Sequence, residues 1–181
     1  MHLSMHNWMR AEPIEVTIRR LAKYGYESIE IGVGSEKYDT KEVRGYLKET
    51  GLRCWGSISL MFTGLDLIQA DEAGRALTIQ YLKDCITMVK ELDGHVMSIV
   101  PSEVGKVNAQ ADPDTEWNWA VEGLREVNDF AKKAGVAVAI EPLNRFETNF
   151  INRHDQALLL AEEVGPDVGV CLDIYHMNQE E

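Results

Sequence analysis

Apolar and polar positions alternate along this chain with two periods, and the two periods take turns. Leu3 to His6 is a short apolar-polar strand pattern. Pro13 then opens a helical pattern with Ile14, Ile18, Leu21 and Ala22 on one face, and Gly25 ends it. Proline suits a first helical turn, where its missing N–H is not needed. Ser28 to Ile31 predicts the next strand, followed by a glycine-containing loop at Gly32 and Gly34. Asp39 or Thr40 caps a helix that runs to Gly51, with Val43, Tyr46 and Leu47 on one face.

The alternation continues. Arg53 to Leu60 predicts a third strand, and Asp71 to Leu92 a long helix. Val96 to Val100 is the fourth strand, stopped by Pro101. Asp112 caps a second long helix, Pro113 to Ala134, which Gly135 terminates. Val136 to Ile140 is the fifth strand, Asp155 to Val164 a helix, and Val168 to Leu172 the sixth strand. Repeats of about 25 to 40 residues suit right-handed parallel βαβ crossovers. No Gly-rich phosphate fingerprint follows the first strand, which argues against a dinucleotide-binding sheet. The expected fold is α/β, an incomplete TIM (β/α)8 barrel with about five and a half βα units in residues 1–181, read as one domain. A full barrel takes about 250 residues, so the chain reads as the N-terminal two-thirds of one.

Composition narrows the function. Thirty acidic against 18 basic residues give a formal charge of -12. Such a surface repels phosphate backbones, so nucleic acid is not an expected partner. No stretch approaches the roughly 20 apolar residues of a membrane span, and the N-terminus lacks the pattern of a signal peptide. Cys54, Cys85 and Cys171 are odd in number and sit in apolar surroundings, as buried reduced thiols of a cytoplasmic protein do.

Two acidic motifs stand at strand ends. Glu141 follows Val136 to Ile140, and Asp173 follows Val168 to Leu172. Carboxylates at the carboxyl ends of parallel strands face the mouth of a barrel, and two on adjacent strands suit a shared hard cation. Each has a plainer reading: Glu141 as a helix cap or partner of Arg145, Asp173 as the N-cap of a following helix. His176, three residues past Asp173, is a ligand or a hydroxyl donor, and a lone His is as often structural. Glu147 and Arg145 either meet a polar ligand or pair with each other. His6, Trp8 and Glu30 are further candidates for the mouth. For Trp8, Trp117 and Trp119 plain packing is the favoured reading. The stripe Leu77, Tyr81, Ile86, Met88 and Val89 reads as core.

The stretches Glu141-Pro-Leu-Asn-Arg-Phe-Glu147-Thr and Val-Gly-Val-Cys-Leu-Asp173-Ile-Tyr-His176-Met-Asn closely resemble the xylose-isomerase-like sugar isomerase/epimerase superfamily. Within it they are similar to the ketose 3-epimerases of the D-tagatose and D-psicose group. The resemblance implies a divalent metal, usually Mn2+, with Mg2+ or Co2+ as alternatives, on Glu141 and Asp173. It implies Glu141 as catalytic base, Glu147 and His176 holding substrate hydroxyls, and His6 covering the sugar where the family usually has an aromatic residue. The implied reaction is proton transfer beside the carbonyl of a ketose, with the cation as Lewis acid. The family's other two ligands, a His and a Glu that is also the second acid/base, belong to two further strands. This chain is therefore expected to be inactive by itself, and a full-length form to be a cytoplasmic isomerase with a small sugar as partner, in a homo-oligomer or not.

Two stretches, Met5-His6-Asn7-Trp8-Met9-Arg10 and Lys37-Tyr38-Asp39 to Cys54-Trp55-Gly56, are more similar to the catalytic subunits of C-glycoside deglycosylases, the alternative enzyme class. A metal-dependent nuclease on the same barrel is disfavoured by the charge. A non-catalytic sugar-binding or scaffold fragment is the remaining alternative.

Overall fold

The computed structural model describes residues 2–32 and 35–181. Gly34 of the expected glycine loop lies outside them. Six strands and six α-helices alternate: β1 (Ser4–His6), α1 (Ile14–Lys23), β2 (Ser28–Glu30), α2 (Thr40–Thr50), β3 (Arg53–Ile58), α3 (Glu72–Glu91), β4 (Val96–Ile99), α4 (Pro113–Ala134), β5 (Ala137–Ile140), α5 (His154–Val164), β6 (Gly169–Val170) and α6 (Ile174–Glu180). Every neighbouring pair is parallel and the spatial order is the chain order. That is the winding of a TIM-type barrel, left open between β1 and β6, the two edges of the sheet.

The helix ends form where the sequence marks them. Asp39 accepts from the Lys41 and Glu42 amides, Asp71 from Ala73, and Asp112 from Thr115. Gly135 closes α4 in the left-handed region, with φ at 78°. Helices α1 to α5 each lay one face on the sheet. One core cluster joins α3, α4 and α5 to β4 and β5 through Leu82, Ile86, Met97, Leu124, Val138 and Leu160. A second joins α1 and α2 to β2 and β3 through Ile18, Leu21, Ile29, Val43 and Cys54.

Two expectations change. Within the α3 stripe, Ile86, Met88 and Val89 are core, but Leu77 is exposed. It lies in the first turns of α3, on the side turned away from the sheet. The sixth strand is Gly169–Val170 rather than Val168 to Leu172. Its ladder runs out with β5: the Cys171 amide bonds to Ile140 O, and beyond Glu141 stands Pro142, which has no N–H to offer. No described helix is long and apolar enough to cross a membrane.

Candidate functional site

Strand parity decides what faces the barrel interior. In β5, Val138 and Ile140 pack against the helices, so Ala137 and Ala139 point inward. Glu141 continues that inward phase. Gly169 pairs with Ala139 and Val170 with Ile140, and Val170 packs on the outer core, so Cys171 and Asp173 continue the same phase on β6. On β1 and β2, Met5 and Ile29 face the helices, and His6 lies in register with Glu30 on the inward side. Glu30 lines a separate small cavity with Ser4, His6 and Trp55, whereas His6, Glu141 and Asp173 meet at the carboxyl ends of the strands. There a cavity of about 400 Å3 is lined by His6, Glu141, Glu147, Asp173 and His176, with Trp8, Phe62, Leu143 and Tyr175 among its apolar wall.

One ligand-type atom each from Glu141, Asp173 and His176 lies within 4.8 Å of the other two. Glu141 is 5% exposed, and Ser98 Oγ donates to its Oε2 at 3.4 Å. Burial, followed by the negative charges of Asp173 and Glu30, pushes its carboxyl up from 4.5 to about 7. Burial also raises Glu30. Like charges clustered around a buried carboxylate are what a cation would relieve, and Glu141 and the exposed Asp173 are hard oxygen donors, so the residues present fit a divalent metal. Asp173 also caps α6, accepting from the Tyr175 amide at 2.8 Å. The capping reading and the clustering hold together, because one carboxylate oxygen serves the helix and leaves the other for the cavity.

Asn144 organises the other two groups. Its backbone N–H donates to His176 Nδ1 at 3.2 Å. Nδ1 is therefore an acceptor, and the neutral ring carries its proton on Nε2, which lies 3.9 Å from Asp173 Oδ2. The Asn144 side-chain amide donates to Glu147 Oε1 at 2.8 Å and lies 2.9 Å from His176 Nδ1. His6 stacks on Trp8 with ring centroids 4.5 Å apart. Its Nδ1 is buried and finds no partner among the described residues. Burial lowers its pKa against the pull of Asp173.

Arg145 pairs with Glu180 through two nitrogens, Nε at 3.0 Å and Nη2 at 2.7 Å, and not with Glu147 or Glu141. Trp117 tilts against Phe150 and donates to Glu163, and Trp119 lies under the Arg75 guanidinium. Both are packing residues, whereas Trp8 lines the cavity. Asn144 and Ser98 escaped the sequence reading. Asn144 could have been marked as the polar residue between two acids of one motif, but nothing local distinguishes Ser98, which matters only because β4 lies beside β5. A larger open groove, about 610 Å3, lies at the other end of the strands among Arg44, Lys48, Arg53 and Asp93. Its Arg44 is taken up by Asp93 at 2.7 Å, and none of the clustered acids reaches it.

Comparison with known proteins bears on the fold and the family. Over 170 residues the chain is 29% identical to an L-ribulose 3-epimerase of Mesorhizobium japonicum, covering 93% of this chain and 57% of that protein. A D-psicose 3-epimerase of Agrobacterium fabrum is 29% identical over 171 residues, covering 91% and 59%. The chain thus spans less than two-thirds of the length of these relatives. Among solved structures, a D-allulose 3-epimerase from Methylomonas sp. in complex with D-allulose superposes with a TM-score of 0.91 at 26% identity, over 100% of this chain and 65% of that one. Residues 18–181 match the model of one family over most of the chain, and on that match the chain belongs to the xylose isomerase-like TIM barrel family.

Proposed function

We propose that this chain carries the metal-binding and proton-transfer part of a ketose 3-epimerase-like site, in an isomerase that acts on a small sugar. The observation that carries the reading is the convergence of Glu141, Asp173 and His176 within 4.8 Å at the carboxyl ends of β5 and β6. Glu141 and Asp173 would hold a divalent cation, Mn2+ by the resemblance and Mg2+ or Co2+ as alternatives. When bound, the cation would polarise the sugar's carbonyl and neighbouring hydroxyl.

The remaining roles belong to the side chains. Glu141 takes and returns the proton at carbon 3. Its pKa near 7 in the bare site falls when a cation sits beside it, so the carboxylate is the resting form of the base. Ser98 steadies that carboxylate through Oε2. His176, with Nδ1 engaged by Asn144, offers Nε2–H as a donor to a sugar hydroxyl, so the two carboxylates and not the imidazole supply the lone pairs for the metal. Glu147 is held through Oε1 by Asn144, which leaves Oε2 to accept from another hydroxyl. His6 and Trp8 cover the sugar from the β1 side. Inversion needs a second proton donor on the opposite face, a role the family gives to a Glu outside the part of the relatives that this chain spans.

The test is a half-reaction. In a form that carries all eight strands, with Mn2+ in D2O, abstraction by Glu141 exchanges the carbon-3 proton of D-fructose or L-ribulose for deuterium, read by NMR, whether or not the epimer forms. The expected result is exchange in the parent and none in Glu141→Gln. Equal exchange in both would remove Glu141 from the reaction. No exchange in either, with that form metal-loaded and folded, would favour a binding or scaffold role.

A further inference from the structure

Glu141 and Asp173 stand at strand ends, but Glu147 sits well into the loop after β5, so its place in the cavity depends on what holds that loop. Its own loop holds it once, the Glu147 amide donating to Asn144 O at 2.9 Å. The loop after β4 holds it again. The Gly105 amide donates to Glu147 O at 2.7 Å, the Asn149 amide donates to Lys106 O at 3.0 Å, and Lys106 bridges in parallel to Thr148. Ser102 Oγ lies 2.6 Å from Thr148 Oγ1, with both residues buried.

That second hold needs an anchor, because Val107 to Gln110 lie exposed. The anchor is Lys106. Its side chain turns under the loop, 9% exposed, between Asp66 at 2% and Glu116 at 3%. Nζ donates to Asp66 Oδ2 at 2.8 Å and to Ile68 O at 3.2 Å, and lies 3.7 Å from Glu116 Oε1. Asp66 Oδ1 accepts from the Ile68 amide, Glu116 Oε1 from the Gln110 amide, and Glu116 Oε2 from Asn149 Nδ2 at 3.2 Å. The last bond closes a ring. It runs from Lys106 to Glu116, on to the Asn149 side chain, and through the Asn149 amide back to Lys106 O. The loops after β3, β4 and β5 thus meet at one buried cation, and none of these strands is an edge of the sheet.

Three buried ions are a poor source of stability. Taking them out of water costs about what their attraction returns, and apolar side chains of like volume often serve as well or better. What charged hydrogen bonds supply is direction. We propose that Lys106 is a positioning residue for sugar binding, fixing the Glu147 carboxylate in the cavity through the Gly105 and Asn149 backbone bonds. This rests on the ketose reading above and adds to it a residue that touches neither sugar nor metal. Misplacement by about 1 Å is enough to cost a contact of this kind. A hydroxyl contact made in ground and transition states alike is lost as a rise in KM rather than a fall in kcat.

The test uses the form with all eight strands. Lys106→Met alone strands two buried carboxylates, so the working variant is the neutral triple Asp66→Asn, Lys106→Met and Glu116→Gln, with thermal melts to show that it folds. KM for D-fructose or L-ribulose is expected to rise about tenfold, with kcat within about threefold of the parent. Amide hydrogen exchange at Gly105 and Asn149 is expected to quicken about tenfold, while the Glu141 amide, bonded to Ile99 O, keeps its rate. In a Glu147→Ala background the same triple should leave KM unchanged, because the residue it acts through is gone. Asn149→Ala cuts the ring at a neutral side-chain bond and should raise KM about threefold; it decides the question if the triple does not fold. A fall in kcat with KM unchanged marks only lost folded enzyme and overturns the positioning role. So does an equal rise in KM with Glu147 absent, or unchanged exchange at both amides. No turnover of any ketose by the parent refutes the epimerase reading alone, and exchange at Gly105 and Asn149 then decides the hold on Glu147.

Discussion

Glu141 should destabilise the protein that it serves. Its carboxyl ionises at 4.5 in ordinary surroundings and at about 7 in the fold, chiefly because it is buried. Below about pH 4 both folded and unfolded states hold the proton, and the group adds no pH-dependent term. As pH rises the unfolded chain releases its proton first, so unfolding becomes easier. Above about pH 7 the full penalty is in place, roughly 3 kcal/mol at about 1.4 kcal/mol per pH unit. Glutamine at this position keeps the shape and cannot ionise. With chelator present, Glu141→Gln should therefore be more stable than the parent by roughly 2 to 3 kcal/mol near pH 8, with the difference vanishing near pH 4. Urea unfolding followed by circular dichroism across that range measures it. A difference that stays flat with pH, or a variant less stable than the parent at the alkaline end, would refute the reasoning, since burial would then not be straining this carboxylate.

Asn144→Ala should impair sugar exchange more than fold stability, because it frees both Glu147 and His176; the expected loss is about 1.5 to 3 kcal/mol for a bond to a charged group, seen as a rise in KM and a fall in kcat together. Lys106→Met should leave Asp66 and Glu116 buried without their cation and cost about 3 to 5 kcal/mol in urea unfolding, whereas a loss under about 1 kcal/mol would mean that water already reaches the pair. Gly56→Ala should be severe or prevent folding, because a Cβ there would stand 2.0 Å from Val96 O on the neighbouring strand; a variant melting within a few degrees of the parent would show that β3 can shift.

Much of this architecture is written locally. Asp112 and Gly135 bracket α4 at the residues expected, because a cap is a bond between near neighbours. The placement of Glu141 and Asp173 was legible for a similar reason: each follows an apolar strand, and parity carries it inward. What stayed hidden depends on partners distant in sequence. β6 is shorter than its apolar run because the chain after β5, its neighbour in the sheet, reaches Pro142, which has no N–H to continue the ladder. Arg145 chose Glu180, 35 residues away, over the acids beside it. Leu77 carries the right residue type on a face that no other element covers. The tautomer of His176 needed the position of the Asn144 amide, which no spacing rule supplies.

Titrating the chain with Mn2+ and following water-proton relaxation tests the shared site most directly. The expected result is one saturable Mn2+ per chain, lost in both Glu141→Gln and Asp173→Asn while His176→Gln retains it. Binding that survives both carboxylate substitutions, or no saturable binding at all, would contradict a metal site built on the ends of β5 and β6.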